Sequence, residues 1–322
     1  MALSQTCHLS KIFARFFLIP LSSPTQAKLP TALALGSFDG LHAGHKEVIK
    51  QITDHNNGVP TIVSFWPHPR EVLFGESRLR LDLPHEKTLL LEPLGIKQLV
   101  LVPFDTALAG LSADEFFNQI LVKQLQPQKI AIGENFRFGK DRKGDSFTLK
   151  NLCDKEGIEI SIVPILKDKL GRVSSSRIRE SLRQGDLETT KSLLGRPYNF
   201  RGVVTTGKGL GSKIGWPTAN LQINGRKFLP AIGVYAAWAK RTSEEKLFPA
   251  VMNLGPQPTI DPTSPSAIEV HLINERIDLK GEELIIEPIK KLREQQKFKS
   301  LEELTQQISF DAELANKILN EL

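Results

Sequence analysis

The sequence predicts an α/β domain with a parallel sheet, followed by an antiparallel β-barrel domain that closes with a C-terminal helix. Three observations lead there. In the first half, apolar strand-like runs alternate with single amphipathic helices. From Tyr198 onward, short strand-like runs follow one another without helices, divided by Gly, Pro, Asn and Asp. The chain has 322 residues, and domains usually hold roughly 100–200, so two are expected.

The elements follow in order. Residues 31–38 read as a buried strand, because Ala32, Leu33, Ala34 and Leu35 are small or apolar without a break. Residues 45–56 read as a helix. Strands at 60–66, 97–103, 129–133 and 158–165 alternate with helices at 85–94, 113–125 and 147–155. The helix at 113–125 has a start signal, Ser112 with Glu115 three residues on. Ligands of parallel sheets bind at the carboxyl ends of the strands. The segments after 38, 133 and 165 all lie at such ends and converge on one crevice.

Residues 174–194 read as one or two helices, interrupted at Gly185-Asp186. Strands at 198–205, 218–223, 234–241, 248–254, 267–273 and 283–289 then imply an antiparallel barrel or sandwich. Residues 300–322 close the chain as a helix, with Ser300 and Glu303 forming a capping box. The expected division is a disordered leader at 1–30, a first domain at 31–185, a linker at 186–197 and a second domain at 198–322. No internal repeat or low-complexity tract is present.

Composition narrows the class. Apolar content of 40% and charged content of 24% fit a globular protein. Cys7 and Cys153 are the only cysteines. That excludes a disulfide framework and a cysteine metal site, and points to a reducing compartment, the cytoplasm. The net charge is +6, but Lys11, Arg15 and Lys28 precede the first acid, Asp39. The remainder is near balance, which suits an enzyme of anionic nucleotides and argues only weakly for nucleic acid. Residues 1–30 are Ser-rich and acid-free, as in organellar transit peptides. Their lack of periodicity favours instead a plain leader or a start assigned too early. The apolar run at 12–21 is broken by Arg15 and too short to span a bilayer. No membrane or nucleic-acid partner is expected; an oligomer stays open.

His42-Ala43-Gly44-His45 is the densest signal. Two imidazoles three apart fall at a strand-to-helix turn, where Gly36, Gly40 and Gly44 let backbone amides approach an anion. Imidazoles at a helix N-terminus suit nucleotide phosphates while charge shifts between them. Metal ligation and ordinary turn residues remain alternatives on spacing alone, though only Asp39 is near as a third ligand. Ser174-Ser175-Ser176-Arg177-Ile178-Arg179 opens a helix with hydroxyls, free amides and two arginines, all suited to phosphate. Gly133-Glu134-Asn135-Phe136-Arg137-Phe138-Gly139 is a third element, and at least one of its aromatics is expected in the core.

The second half has its own dense motif, Gly207-Lys208-Gly209 through Lys213 to Pro217-Thr218-Ala219-Asn220. Gly202 to Lys208 approaches a Walker A loop. It fails, because Gly209 stands where Ser or Thr must bind magnesium and no helix follows. A glycine-rich turn still presents amides to phosphate. Thr218 and Asn220, two apart on a strand, share a face and offer hard oxygens to Mg2+. A plain hairpin with structural glycines is the alternative. Glu269 is a lone acid in an apolar strand; it either faces solvent or, beside a metal-bound γ-phosphate, deprotonates a hydroxyl.

Together these motifs resemble the prokaryotic bifunctional riboflavin kinase/FAD synthetase family. Gly36 to His45 matches its Gly-x-Phe-Asp-Gly-x-His-x-Gly-His motif, Phe65 to Pro69 its Phe-x-Pro-His-Pro segment, Gly133 to Gly139 its Gly-Glu-Asp/Asn-Phe-x-Phe-Gly loop, and Ser174 to Arg179 its Ser-Ser-Thr-x-Ile-Arg motif. In the kinase half, Pro217 to Asn220 is its Pro-Thr-Ala-Asn signature. Asn253-Leu254-Gly255 with Pro258-Thr259, Glu269-Val270-His271, and Leu292-Arg293 through Lys297-Phe298 follow in family order. The likeness runs from about Thr31 to Leu322. It departs at Ser176 (usually Thr), Trp66 (usually acidic or polar), Gln257 (usually Arg) and Lys280 (usually Tyr).

The resemblance implies conversion of riboflavin to FMN and of FMN to FAD, with ATP as co-substrate and Mg2+ as cofactor. In the first module it implies ATP contacts from Gly36, Phe38, Asp39 and Gly44, with Ser175, Ser176 and Arg179 on the β- and γ-phosphates. His42 and His45 would stabilise charge on the transferring group, and Asn135 and Phe136 would place FMN. In the second it implies ATP contacts from Gly207, Lys208, Gly209 and Lys213, Mg2+ ligation by Thr218 and Asn220, a base in Glu269 and a flavin contact from Arg293. Two rival readings are weaker. Nucleotidyltransferases acting on pantetheine phosphate or nicotinate mononucleotide lack the Pro217 to Asn220 barrel. An RNA-binding barrel would interleave aromatics with basic residues, and two Tyr and three Trp make that platform thin.

Overall fold

A computed structural model describes residues 18, 20–53, 58–76, 79–206, 211, 215–255, 268–275 and 277–322. The expected parallel sheet is present. Its strands are β1 (Pro20–Leu21), β2 (Thr31–Leu35), β3 (Val59–Trp66), β4 (Gln98–Pro103), β5 (Pro127–Gly133) and β6 (Glu159–Val163), in the order β1-β4-β3-β2-β5-β6. Every neighbouring pair is parallel. All five residues of β2 are buried, as a run flanked by strands on both sides requires. Successive strands add to one side of β2 up to β4 and to its other side from β5. The carboxyl ends of β2 and β5 therefore flank a switch-point crevice.

The helix after β2, Ala43–Thr53, buries Val48, Ile49 and Ile52 on the sheet. The capping box at Ser112 forms: the Glu115 N–H donates to the Ser112 hydroxyl at 3.2 Å, and the Ser112 N–H to the Glu115 carboxylate at 2.8 Å. The helix is α only over Ala113–Phe116 and continues as a π-helix over Phe117–Leu125. Helices Pro69–Phe74 and Thr106–Gly110, and a hairpin of β7 (Lys167–Asp168) and β8 (Gly171–Arg172), are too short to show a period in sequence.

Two expected boundaries shift. Strand β1 lies inside the stretch read as a disordered leader: Pro20 and Leu21 pair with Leu99 and Val100. Gln98 fastens the segment between β1 and β2, accepting from the Lys28 N–H at 2.6 Å and donating to the Lys28 carbonyl at 3.1 Å. The stretch read as a linker contains the helix Leu187–Leu194, which buries Leu187, Thr190, Leu193 and Leu194. With Ile178 and Leu182 of the preceding helix, Ser175–Gln184, these leucines share one core with Tyr198, Phe200, Tyr235 and Met252 of the second domain.

That second domain is a closed barrel, not a sandwich. Strands β9 (Phe200–Thr205), β10 (Ala219–Gln222), β11 (Gly233–Arg241), β12 (Leu247–Leu254), β13 (Ile268–Leu272) and β14 (Glu283–Arg293) run β10-β13-β12-β11-β14-β9, and β9 closes on β10. Alternation sets the two faces: Ile268, Val270 and Leu272 point into the core, while Glu269 is exposed. The C-terminal helix Leu301–Asn320 starts at the Ser300 cap and buries Ala312, Ala315 and Leu319 against Val234, Ala236 and Val251.

Buried polar ties join the domains. The Lys227 ammonium donates to Glu86 and to the Leu81 carbonyl, each at 2.7 Å. Arg196 donates to Asp82 at 2.9 Å, and the Tyr198 hydroxyl to the Leu81 carbonyl at 3.2 Å.

Candidate functional site

The crevice beside β2 and β5 is a cavity of about 1160 Å³. Sites for single drug-sized ligands hold roughly 300–1,000 Å³, so this one has room for more than one small molecule. Its floor is the turn into helix Ala43–Thr53. Phe38, Gly40 and Leu41 have positive φ of 45°, 89° and 40°. A Cβ on Gly40 would also meet Leu81 Cδ1 at 2.8 Å, so glycine is required there.

That turn stacks His42 on His45, with ring centres 3.7 Å apart and planes 16° from parallel. The His45 backbone N–H donates to His42 Nδ1 at 3.3 Å. The His42 proton therefore sits on Nε2. Burial, then the Arg172 guanidinium, lower the His42 pKa to about 4. Burial, then the His42 ring, hold His45 well below its ordinary value. Near pH 7 both rings are neutral and serve as N–H donors rather than cations. His45 Nδ1 is buried without a hydrogen-bond partner.

Gly36, Phe38, Gly44, Ser175 and Ser176 line this cavity, as do both histidines. The Ser175 hydroxyl donates to the Asp39 carbonyl at 2.7 Å, tying the serine helix to the histidine turn. The Gly36 N–H is engaged by the Val63 carbonyl at 3.1 Å. Asp39 and Arg179, both expected at the phosphates, are also partners of each other. Their side chains form a buried ion pair, and the Asp39 carboxylate also accepts from the N–H groups of Leu81 at 3.0 Å and Asp82 at 3.3 Å. Both charges are buried, and each satisfies the other where an unpaired one would be costly.

Asn135 and Phe136 line the opposite wall. The Asn135 amide oxygen, turned toward Arg172, accepts from its two terminal nitrogens at 2.8 and 3.2 Å. Phe136 stacks on Phe138 at 5.6 Å, and Phe138 is the buried core aromatic. Arg70, Arg80, Arg137 and Arg172 also line the cavity. Arg137 belongs to the loop from Gly133 to Gly139, whereas Arg70, Arg80 and Arg172 escape a sequence reading because each stands alone in a segment without periodicity. Lys87 supports the floor: its ammonium donates to the Ser37 carbonyl at 2.7 Å, and burial lowers its pKa to about 8. The Trp66 ring carries the guanidinium groups of Arg80 at 5.3 Å and Arg226 at 5.0 Å from its centre.

On the barrel, antiparallel register sets Glu269 opposite Asn220 on one side and Asn253 on the other. Directly opposed residues project from the same face, with Cβ atoms about 4.5–5.5 Å apart. Thr218 stands one residue before β10, which begins at Ala219. The segment is pinned by His271, whose Nδ1 donates to the Pro217 carbonyl at 2.8 Å and whose ring meets Trp216 edge-on at 4.9 Å. A Cβ on Gly211 would lie 2.2 Å from the Trp216 carbonyl and 3.2 Å from Thr218 Oγ, so Gly211 itself packs tightly against that hydroxyl. Gly207, Lys208, Gly209, Lys213 and Gln257 lie outside the described residues. Arg293, expected at the flavin, has partners within the chain. Its Nε and Nη2 donate to the buried Asp311 at 3.0 and 2.7 Å, and its guanidinium covers Phe298 at 5.8 Å. It clasps the C-terminal helix to β14.

Comparison with known proteins gives the same division. Residues 25–177 match the FAD synthetase family and residues 194–319 the riboflavin kinase family. The bifunctional riboflavin kinase/FMN adenylyltransferase of Escherichia coli (strain K12) is 35% identical over 284 residues, covering 87% of this chain and 90% of that one. The Bacillus subtilis (strain 168) protein of the same description is 36% identical over 307 residues, covering 92% and 94%. A crystal structure described as a macrolide-efflux protein from Streptococcus pneumoniae superposes with a TM-score of 0.80 at 29% identity, covering 93% of this chain and 99% of that one. Among the described residues, no helix is long and apolar enough to cross a membrane. Sheet and barrel each bring their own motif set to one face, in the order in which the two families match, and the chain belongs to the bifunctional riboflavin kinase/FMN adenylyltransferases.

Proposed function

We propose that the cavity beside β2 is the adenylylation site and that the Thr218–Asn220–Glu269 face of the barrel is the kinase site. The chain phosphorylates riboflavin to FMN and adenylylates FMN to FAD, with ATP as co-substrate in both steps. The observation that supports the assignment best is the register placing Asn220 opposite Glu269, remote in sequence from the stacked histidines and the serine helix start.

In the adenylylation step, an oxygen of the FMN phosphate attacks the α-phosphorus of ATP and the bond to pyrophosphate breaks. His42 Nε2–H donates to the oxygen on which charge grows. Ser175, Ser176 and the amides of their helix start hold the remaining phosphates. Arg172, braced by Asn135, supplies positive charge beside them. Positioning and electrostatics suffice, with no covalent intermediate.

In the kinase step, the Thr218 hydroxyl and the Asn220 amide oxygen would hold Mg2+, a hard cation that favours such donors. Bound there, it would neutralise phosphate charge. Glu269 takes the proton of the riboflavin 5′-hydroxyl as that oxygen attacks the γ-phosphorus. The bacterial relatives support a cytoplasmic place of action, and nucleic acid has no part in this reading. Purified protein given riboflavin, ATP and Mg2+ should yield FMN and then FAD by chromatography. No FMN from riboflavin would refute the kinase assignment, and no FAD from supplied FMN the other.

A further inference from the structure

Arg80 lines the adenylylation cavity and is only 4% exposed. Its Nε is buried and lacks a hydrogen-bond partner. The carboxylates near it have other cationic partners. Asp39 pairs with Arg179, Asp82 with Arg196 at 2.9 Å, and Glu71 lies 3.9 Å from Arg226. Among the described residues, no carboxylate comes within ion-pair distance of Arg80 itself. A buried guanidinium is costly unless another group supplies negative charge and hydrogen-bond acceptors. Burial presses on its charged form, with the fields of Asp39 and Glu71 opposing. The guanidinium nevertheless stays protonated.

The position of Arg80 is set from the barrel. Its N–H donates to the Arg226 carbonyl at 2.7 Å, and the Phe228 N–H donates back to the Arg80 carbonyl at 2.8 Å. The Trp66 ring lies against its guanidinium and carries Arg226 as well. Stacking satisfies the flat face of a guanidinium and leaves its N–H rim for planar oxyanions.

We propose that Arg80 is a phosphate-binding residue of the adenylylation cavity, and that the barrel segment Arg226–Phe228 together with Trp66 holds it in place. The second domain thereby completes the active site of the first. The proposal rests on the two-site assignment above. The phosphate belongs to ATP or to FMN, since both enter this cavity and present the same chemistry.

The test uses the full chain and two assays, FAD from supplied FMN and FMN from riboflavin. Arg80→Gln removes the charge and keeps the bulk. A charge-assisted hydrogen bond to phosphate predicts a loss of about ten- to a hundredfold in kcat/KM for FAD formation, with FMN formation held within about twofold. A raised KM for ATP, with weaker binding of inorganic pyrophosphate by calorimetry, assigns the contact to ATP. A raised KM for FMN alone assigns it to FMN. Arg80→Lys should recover part of the loss, and Trp66→Leu should raise the same KM by less than Arg80→Gln does. Wild-type constants in Arg80→Gln overturn the proposal, and unchanged constants in Trp66→Leu overturn the positioning role. If Arg80→Gln and Arg80→Lys both lose FMN formation as well, Arg80 is an interface residue and the proposal fails. Wild-type protein that makes no FAD would refute the site assignment itself, which separates the two outcomes.

Discussion

Asn220 and Glu269 face each other across β10 and β13, an amide and a carboxylate on the same side of the barrel wall. Glu269→Gln keeps the shape and removes the base. FMN formation should fall by about 10²–10⁴-fold, while added FMN is still converted to FAD. Thr218→Ala and Asn220→Ala should instead raise the Mg2+ concentration needed for half-maximal FMN formation. Rates measured by chromatography across a metal titration separate the two effects, and an unchanged metal requirement would remove both residues from that role.

His42 presents an N–H donor from a neutral ring, with its tautomer fixed by the His45 amide. His42→Ala should lower FAD formation by about 10²–10³-fold, the usual cost of removing one aimed donor. FMN formation from riboflavin should continue. Loss of both activities would mean that the substitution disturbs the fold rather than the chemistry.

The same histidine makes stability depend on acid. Its pKa is about 4 in the folded chain and about 6.5 unfolded. Between those values the unfolded state binds more protons. Stability from this group is therefore complete above about pH 6.5 and is lost as the pH falls toward 4, on the order of 3 kcal/mol in all. Urea unfolding between these limits should show a steeper acid dependence for wild type than for His42→Ala. Equal slopes would mean that protonation of His42 is not what weakens the fold in acid.

Lys227 and Glu86 are both buried at the domain junction and meet at 2.7 Å. Lys227→Met strands the carboxylate and should cost about 3–5 kcal/mol, with the double change Lys227→Met, Glu86→Leu recovering much of it. Denaturation midpoints of the four proteins in this cycle measure the coupling. Additive losses would show that the pair is not coupled.

Much of the architecture was legible because apolar runs bounded by Gly and Pro fix strands on their own. Strands β3 and β4 begin within a residue of where their patterns place them. The pair Pro20–Leu21 was not legible, since two residues have no period and only Leu99 and Val100 make them a strand. The helix over Leu187–Leu194 was visible as a helix, but its packing against the barrel was not. Among the site residues, types and motifs were readable and partners were not. The carboxylate that pairs with Arg179 lies 140 positions away, and the partner of Arg293 is Asp311 on the C-terminal helix. Arg80 and Arg172 gave no signal, because facing a cavity is a property of the folded chain.

The core shared by Ile178, Leu182 and Leu194 with Tyr198 and Phe200 has an evolutionary consequence. A gene split between the two halves would leave each product with a greasy scar where the other had been. Independent dosage of the two enzymes then meets a folding barrier. Kinase and adenylyltransferase are inherited at a one-to-one stoichiometry, whatever the cell's relative demand for their products.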